Sequence, residues 1–279
     1  MTSNIELVGD IAVVIDLNGH KITADWKDET GVVDVLWAHA DENGNAPTVT
    51  ITGNGAMICG NGGDKVCVVS ATDGAKITIE NGTFTSGGSA CIYATRAGEI
   101  TIKSGTFSAD ELYYGVSYLL DVNEAEERGT ITVYGGEFVN FDPANHTNDG
   151  ANNTNKVADG YHSINNNGTY TVSAHTAGTA ATCTAAQTCT ECSYVFVAAL
   201  GHKYDAAVTK PDCVNGGYTT YTCSVCGDSY VADEVDALGH DYEAAVTKPD
   251  CVNGGYTTYT CSVCGDTYVA DEVDALGHD

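Results

Sequence analysis

The chain is short of basic residues, of proline and of long apolar segments, and each shortage argues against a class of protein. Its 279 residues include 11 Lys and Arg against 38 Asp and Glu, which gives a formal net charge of -27. So few cations cannot neutralise many phosphates, so we expect no nucleic-acid partner and no docking on an anionic membrane. No run of about 18 apolar residues occurs, so we also expect no membrane insertion. The acidity is typical of a well-solvated surface.

Proline is scarce, with 4 residues, whereas glycine is abundant, with 32. Together with many Asn, Thr and Tyr residues, this composition favours short strands separated by tight turns. The N-terminal sequence Met-Thr-Ser-Asn has no basic region followed by an apolar core, so no signal peptide is visible. The protein is therefore either intracellular or a mature or trimmed chain.

A strand-and-turn phrase recurs in the first half of the chain. In each copy, β-branched residues alternate with polar ones and an Asn-Gly, Ser-Gly or Gly-Gly turn follows. The copies are residues 13–23, 49–55, 77–85, 100–108 and 131–139. Alternation with a period of two indicates a strand with one buried face. A second apolar strand is predicted between the phrases, at residues 65–71, 90–95 and 114–120.

These repeats predict an all-β fold. A unit of this size cannot bury its apolar face alone, so the copies must stack. Without helical segments, the natural stack is a parallel β-solenoid, and an antiparallel β-sandwich is the alternative. We assign residues 1–160 to the solenoid and residues 161–174 to a terminal hairpin or linker, whose turn is residues 165–168.

Nine of the 12 cysteines lie after residue 180, and they form three triplets. The spacing is C-x5-C-x2-C once and C-x9-C-x2-C twice, and each triplet is followed by Leu-Gly-His. Residues 203–240 and 241–278 differ only at positions 203, 205 and 229 against 241, 243 and 267, which indicates a recent duplication. We define zinc modules at residues 175–202, 203–240 and 241–279.

Each module has the residues for one closed zinc site. Two thiolates in a C-x2-C step and backbone amides converge on one metal, and a third Cys and one His complete a tetrahedral Cys3His set. The predicted ligand sets are Cys183, Cys189, Cys192 and His202; Cys213, Cys223, Cys226 and His240; and Cys251, Cys261, Cys264 and His278. Four protein ligands leave no open position, so we expect structural Zn2+ rather than catalytic zinc.

Three details of this array remain open. Disulfides are the alternative to zinc, although three Cys in a module would leave one thiol unpaired. The histidines could also lead their triplets, in which case His175, His202 and His240 are used and His278 is left over. We further expect the Asn-Gly-Gly segment after Cys213 to form a hairpin tip that returns Cys213 beside Cys223. His162 is interpreted as isolated, without ligand spacing to any Cys.

Two stretches resemble known groups of proteins. The phrases DLNGHKIT and ITIENGTF, within residues 5–139, resemble those of right-handed β-helix proteins on bacterial surfaces. The phrases CSVCG and ALGH, within residues 175–279, resemble tandem Cys-rich repeats in large secreted proteins of gut Firmicutes. The resemblance implies a right-handed parallel β-helix followed by zinc-ribbon-like modules in an extracellular or cell-surface protein. The last three residues match residues 239–241, so we expect the native protein to be longer.

The expected function is non-catalytic. No pair of carboxylates recurs on one face of neighbouring repeats, and basic residues are few. Identical tandem modules suit a surface stalk, a filament subunit or an adhesive element. Exposed edge strands would allow self-association into a filament or surface polymer. The alternative is a carbohydrate-binding or polysaccharide-degrading β-helix protein, including the phage-fibre type, with polysaccharide as its partner.

Overall fold

The computed structural model of the chain describes residues 4–24, 33–60, 66–88, 90–110, 118–122, 128–145 and 155–278. These residues form 25 strands and no helix, which confirms the predicted all-β class. None of them belongs to a helix long and apolar enough to cross a membrane. The chain divides into two compact units, Met1–Thr176 with Thr190–Cys192, and Ala177–Cys189 with Ser193–Asp279.

Three sheets with parallel neighbouring strands make up most of the first unit. The first sheet contains β1 (Ile5–Val8), β4 (Val33–His39), β7 (Val66–Ala71), β10 (Ala90–Ala94) and β13 (Tyr118–Val122). The second contains β2 (Ala12–Asp16), β5 (Thr48–Thr52), β8 (Lys76–Ile79), β11 (Glu99–Ile102) and β14 (Thr130–Val133). The third contains β3 (Lys21–Ala24), β6 (Ala56–Cys59), β9 (Thr83–Ser86), β12 (Thr106–Ala109) and β15 (Gly136–Val139). Successive strands enter the three sheets in turn, so every third strand joins the same sheet.

The alternating phrases lie in the second sheet with their buried residues in register. Ile51 pairs with Ile79, Ile79 with Ile102, and Ile102 with Val133. All four side chains are fully buried, whereas the intervening threonines are partly exposed. The predicted one-sided burial is therefore present. Of the second apolar strands, Lys65 and residues 114–117 lie outside the described residues.

An aromatic stack fills the core beside the third sheet. Phe84, Phe107 and Phe138 follow the turns of successive phrases, and all three are fully buried. Their ring centroids are 5.1 and 5.0 Å apart and the rings are nearly parallel. Gly105, two residues before Phe107, has a φ of 128°, and a Cβ there would lie 2.8 Å from the carbonyl oxygen of Gly82. The turns therefore need glycine because neighbouring backbones approach too closely for a side chain.

A hairpin extends the third sheet in the opposite direction. It consists of β16 (Tyr161–Asn166) and β17 (Thr169–Ala174), and β17 pairs antiparallel with β15. The side-chain oxygen of Asn165 accepts a hydrogen bond from Gly168 N at 2.8 Å, which closes the turn. The hairpin thus covers the edge that β15 would otherwise expose.

Three antiparallel sheets make up the second unit. A small one pairs β18 (Gln187–Thr188) with β19 (Val195–Val197). Two three-stranded sheets follow: β20 (Tyr204–Thr209), β21 (Gly217–Cys223) and β22 (Ser229–Val235), and then β23 (Tyr242–Thr247), β24 (Gly255–Cys261) and β25 (Thr267–Val273). Both have the same register, since Tyr204 faces Cys223 and Tyr242 faces Cys261. The buried apolar cluster of the described residues ends at Val172, and the second unit buries mainly cysteine thiols.

Candidate metal centres

One Cys/His group lies beside the first three-stranded sheet. His202 precedes β20, Cys223 ends β21 and Cys226 lies in the turn that leads to β22, while Cys183 comes from the segment before β18. The Sγ atoms of Cys183 and Cys223 are 3.9 Å apart, and Cys226 Sγ is 3.4 Å from His202 Nδ1. All four ligand atoms lie within 4.8 Å of one another, so the group could hold a metal ion.

The next repeat builds the same group. Cys213 joins His240, Cys261 and Cys264, again with all four ligand atoms within 4.8 Å. The Sγ atoms of Cys213 and Cys261 are 3.8 Å apart, and Cys264 Sγ is 3.3 Å from His240 Nδ1. The two groups agree to about 0.1 Å in both distances, as expected when nearly identical sequences form the same turns.

The first unit brings together a further set of ligand atoms. His162 of β16 lies opposite Ser173 of β17, so it is close to His175 just past the end of that strand. The two Nδ1 atoms are 2.9 Å apart, and Cys192 Sγ lies 3.3 Å from His175 Nδ1 and 3.8 Å from His162 Nδ1. Cys189, the C-x2-C partner of Cys192 in the sequence, is buried.

Interpreting His162 as isolated is therefore wrong. Its side chain is buried with that of His175, and its Nε2 lies 3.2 Å from both the Ser173 hydroxyl and a Glu191 carboxylate oxygen. The signal that could have found it is the predicted hairpin, because a turn at residues 165–168 pairs the positions on either side of it. Counting that register from the turn places His162 next to the strand end that leads to His175.

Backbone amides at each C-x2-C step favour one thiolate. N–H groups of Cys226 and Val225 donate to the Cys223 thiol and lower its pKa to about 6. Burial opposes ionisation of Cys261, but the N–H groups of Cys264 and Val263 outweigh it, and that pKa also falls to about 6. A thiolate that accepts these bonds is the ionisation state that a metal requires.

The third cysteine of each group behaves in the opposite way. Burial, together with the neighbouring thiols Cys226 and Cys223, raises the pKa of Cys183 to about 12. Burial and the thiols Cys264 and Cys261 have the same effect on Cys213, whose pKa also rises to about 12. Three thiols this close resist full ionisation unless a cation lies between them, so the donor set is matched to a bound metal ion.

The structure groups the predicted ligands differently from their order in the sequence. We expected each triplet to hold one ion together with the histidine that follows it. Instead, Cys183 and His202 join the C-x2-C step of the second triplet, and Cys213 and His240 join that of the third. The histidines thus lead the C-x2-C steps, which is the alternative that the sequence left open, and each group draws on two predicted modules.

The expected return of Cys213 to Cys223 is wrong for a geometric reason. The YTTYT sequence does not form half of a local hairpin but continues as β21, which pairs with β20 on one side and β22 on the other. Cys213 precedes the Gly217 end of β21, whereas Cys223 is at the opposite end. Six residues of strand separate these ends by about 20 Å. Cys213 therefore meets the next repeat instead.

Two predicted ligands join no group within the described part of the chain. Cys251 and His278, from the third set, are both exposed. The remaining ten predicted ligands include nine whose positions are given above and Cys189. All twelve cysteines of the protein fall within the described residues, and all are free thiols, so the disulfide alternative finds no support.

Comparison with known proteins finds no matching family model, no matching curated protein and no matching solved structure.

Proposed function

We propose that the chain is a non-catalytic, extracellular structural or adhesive protein whose C-terminal repeats are joined to one another by structural zinc ions. The observation that carries this proposal is that each of the two Cys3His groups takes its ligands from two successive repeats. An ion at such a site would hold neighbouring repeats together as well as stabilise each fold.

The distances within the groups support zinc. Tetrahedral zinc with Zn–S bonds of about 2.3 Å and Zn–N bonds of about 2.0 Å places sulfurs about 3.8 Å apart and sulfur and nitrogen about 3.5 Å apart. The Sγ–Sγ distances of 3.9 and 3.8 Å and the Sγ–Nδ1 distances of 3.4 and 3.3 Å are close to these values. Three thiolates and one imidazole are also a donor set that zinc prefers.

The energetics of the second unit support a structural role for the ion. Its side chains are mostly exposed, including Val208 at 70% and Val231 at 52%, so the three-stranded sheets bury little apolar surface. Repeats of about 38 residues without an apolar core need disulfides, metals or association to fold. Four protein ligands would leave the ion no open coordination position, which favours structural over catalytic zinc.

We propose a further zinc ion at His162, His175 and Cys192, with Cys189 as its fourth ligand. The C-x2-C spacing supports Cys189, because the two cysteines of such a step commonly bind one ion. The expected total is then one ion for each of the three groups in the described residues. This ion would differ from the others in having a Cys2His2 ligand set.

For the first unit we propose a right-handed parallel β-helix of five turns. The order of strands supports it, since the chain enters the first, second and third sheets in the same sequence five times. Parallel pairs in register, such as Ile100 with Ile77 and with Ile131, are what successive turns of such a helix would form. The right-handed sense follows from the strong preference of parallel crossover connections.

The two parts together support a role as a spacer or filament subunit at the cell surface. A stack of parallel turns and an array of near-identical repeats both grow by adding copies, as a stalk of adjustable length requires. β1, β2 and β3 are edge strands of their sheets, and Val14 on β2 is 69% exposed. Such edges are templates for another chain, so we propose the protein itself as its main partner.

Two measurements test this proposal. Native mass spectrometry of protein purified without chelator should show one zinc ion for each of the three groups. Sedimentation across a wide range of concentration, with electron microscopy of native material, should show polymers. Absence of zinc together with oxidised array thiols would refute the zinc array, and a uniform monomer would refute self-assembly.

One observation favours carbohydrate binding as a second candidate function. Trp37, Ser70, Tyr93 and Asp121 are aligned across four strands of the first sheet. Trp37 and Tyr93 are half-buried, and an aromatic surface next to hydroxyl and carboxylate groups suits stacking against sugar rings. Binding on a glycan array that Trp37→Ala abolishes would support this function, and a blank array would refute it.

A further inference from the structure

The two residues left outside the groups are held in the same framework as their counterparts one repeat earlier. Asp212 accepts hydrogen bonds from Val214 N and Asn215 N at 2.8 and 2.6 Å, and Asp250 accepts the equivalent bonds at 2.8 and 2.7 Å. These turns hold Cys213 and Cys251.

The histidine side of the framework is also repeated. Leu238 N donates to Asp212 O at 2.8 Å, and Leu276 N donates to Asp250 O at the same distance. Gly239 and Gly277 follow with φ of 74° and 76°, so the chain enters His240 and His278 with the same bend. Of residues 213–240, only Ser229 differs from its counterpart, Thr267. Cys251 and His278 are therefore arranged as Cys213 and His240 are.

What differs between the two places is the cover. Cys213 is 5% exposed because Cys261 and Cys264 of the following repeat lie against it. Cys251 is exposed, although its own turn is the same. The thiol and imidazole are thus presented in a ligating arrangement without the two thiolates that complete the other groups.

We propose that Cys251 and His278 are half of a further zinc site, which accepts the Cys-x2-Cys step of another repeat placed directly after His278. This inference rests on the proposed function, since it takes the other groups to be zinc sites. The spacing favours a repeat that follows in the chain, because Cys223 and Cys261 each lie 21 residues after the histidine of their group. Each Cys-x2-Cys step of this chain already contributes to a group described above, so the two missing thiolates must come from an additional repeat.

The test compares three proteins. The first is the chain itself, the second is the chain extended after His278 by a copy of residues 241–278, and the third is the extended chain with Cys251→Ser. Native mass spectrometry counts the zinc ions, and brief alkylation of the zinc-loaded protein with peptide mapping counts the reactive thiols of the array. Circular dichroism shows whether the added repeat folds.

We expect the extended chain to bind one zinc ion more than the chain itself. In the chain itself Cys251 should be alkylated, whereas in the extended chain it should be protected and its counterpart in the added repeat alkylated. Cys251→Ser should remove the additional ion or weaken it by about 10²-fold or more and expose the two thiols of the added Cys-x2-Cys step.

The outcomes separate this inference from the proposal on which it rests. If the chain itself binds no zinc, the proposed function is wrong. If it binds its expected ions but the extended chain gains none and Cys251 stays reactive, only the half-site is wrong. A dimer of the unextended chain that takes up an ion through Cys251 and His278 of both copies would also overturn the assignment to a following repeat.

Discussion

Replacing Cys213 by serine should disturb the zinc site of the following repeat and spare the site of its own. Cys213 lies with His240, Cys261 and Cys264, so Cys213→Ser removes one of four ligands there. The group that contains Cys223 and Cys226 takes its third thiol from Cys183 and loses nothing. Cys251→Ser is a matched control because the sequence around it is the same and it belongs to no group among the described residues.

The size of the effect follows from the number of ligands. Structural zinc sites contribute roughly 10–16 kcal/mol, so one of four ligands is worth about 2.5–4 kcal/mol. This corresponds to a loss of affinity of about 10²- to 10³-fold at the altered site. The closely packed thiols support an effect of this size, since Cys213 Sγ is only 3.8 Å from Cys261 Sγ and both are buried.

Competition with a zinc chelator of graded concentration, followed by alkylation and peptide mapping, measures the effect site by site. Fragments of the two long repeats are distinguishable by mass, because Ser229 in one is Thr267 in the other. In Cys213→Ser we expect Cys261 and Cys264 to become reactive at a lower chelator concentration while Cys223 stays protected. Early reactivity of Cys223 instead would show that each triplet binds its own ion and would refute the shared sites.

Three further results are expected. Complete removal of metal should unfold the sheets within residues 177–278 and leave the parallel sheets intact, and circular dichroism with limited proteolysis would show a protease-resistant tail if this is wrong. Phe107→Ala should cost about 3–5 kcal/mol of unfolding free energy in urea, because the ring is fully buried in the aromatic stack; a loss below 1 kcal/mol would contradict the stack. The Tyr204 hydroxyl donates to Asp228 at 2.7 Å, which raises its pKa to about 12, and Tyr242 is equivalent, so this stabilisation is present below pH 10 and is lost as the pH rises through 12. Absorbance at alkaline pH should show two late-ionising tyrosines, and Tyr204→Phe should remove one of them.

The strands of the first unit could be predicted because their signal is local. Phrases such as residues 77–85 alternate β-branched and polar residues, and the buried members, including Ile77 and Ile79, pack inward as the pattern indicates. The turns were equally clear, since glycine is needed where Gly105 passes the Gly82 carbonyl. The distribution of strands among three sheets is not local, because it depends on which copies become neighbours in space.

The metal centres show the same limit. The sequence identified the residue types and the C-x2-C steps, since one turn of chain brings both thiols together. It did not show where Cys183 or Cys213 would bind, because that depends on which end of a three-stranded sheet each turn occupies. The histidine order was a better guide than the triplets, since His202 and His240 lie at the same distance in sequence from the C-x2-C steps that they join.

Sharing ligands between repeats changes what a zinc ion would do for the array. If each repeat held all four ligands, the repeats would fold independently and their connections could bend freely. With Cys183 and His202 preceding one sheet, and Cys223 and Cys226 within it, an ion is bound fully only when both sides are in place. The binding free energy then acts between neighbours, as interface energy does in stacked repeat proteins. A repeat with almost no apolar core can thus still be coupled firmly to the next one, and the strength of that coupling would follow the zinc concentration of the surroundings.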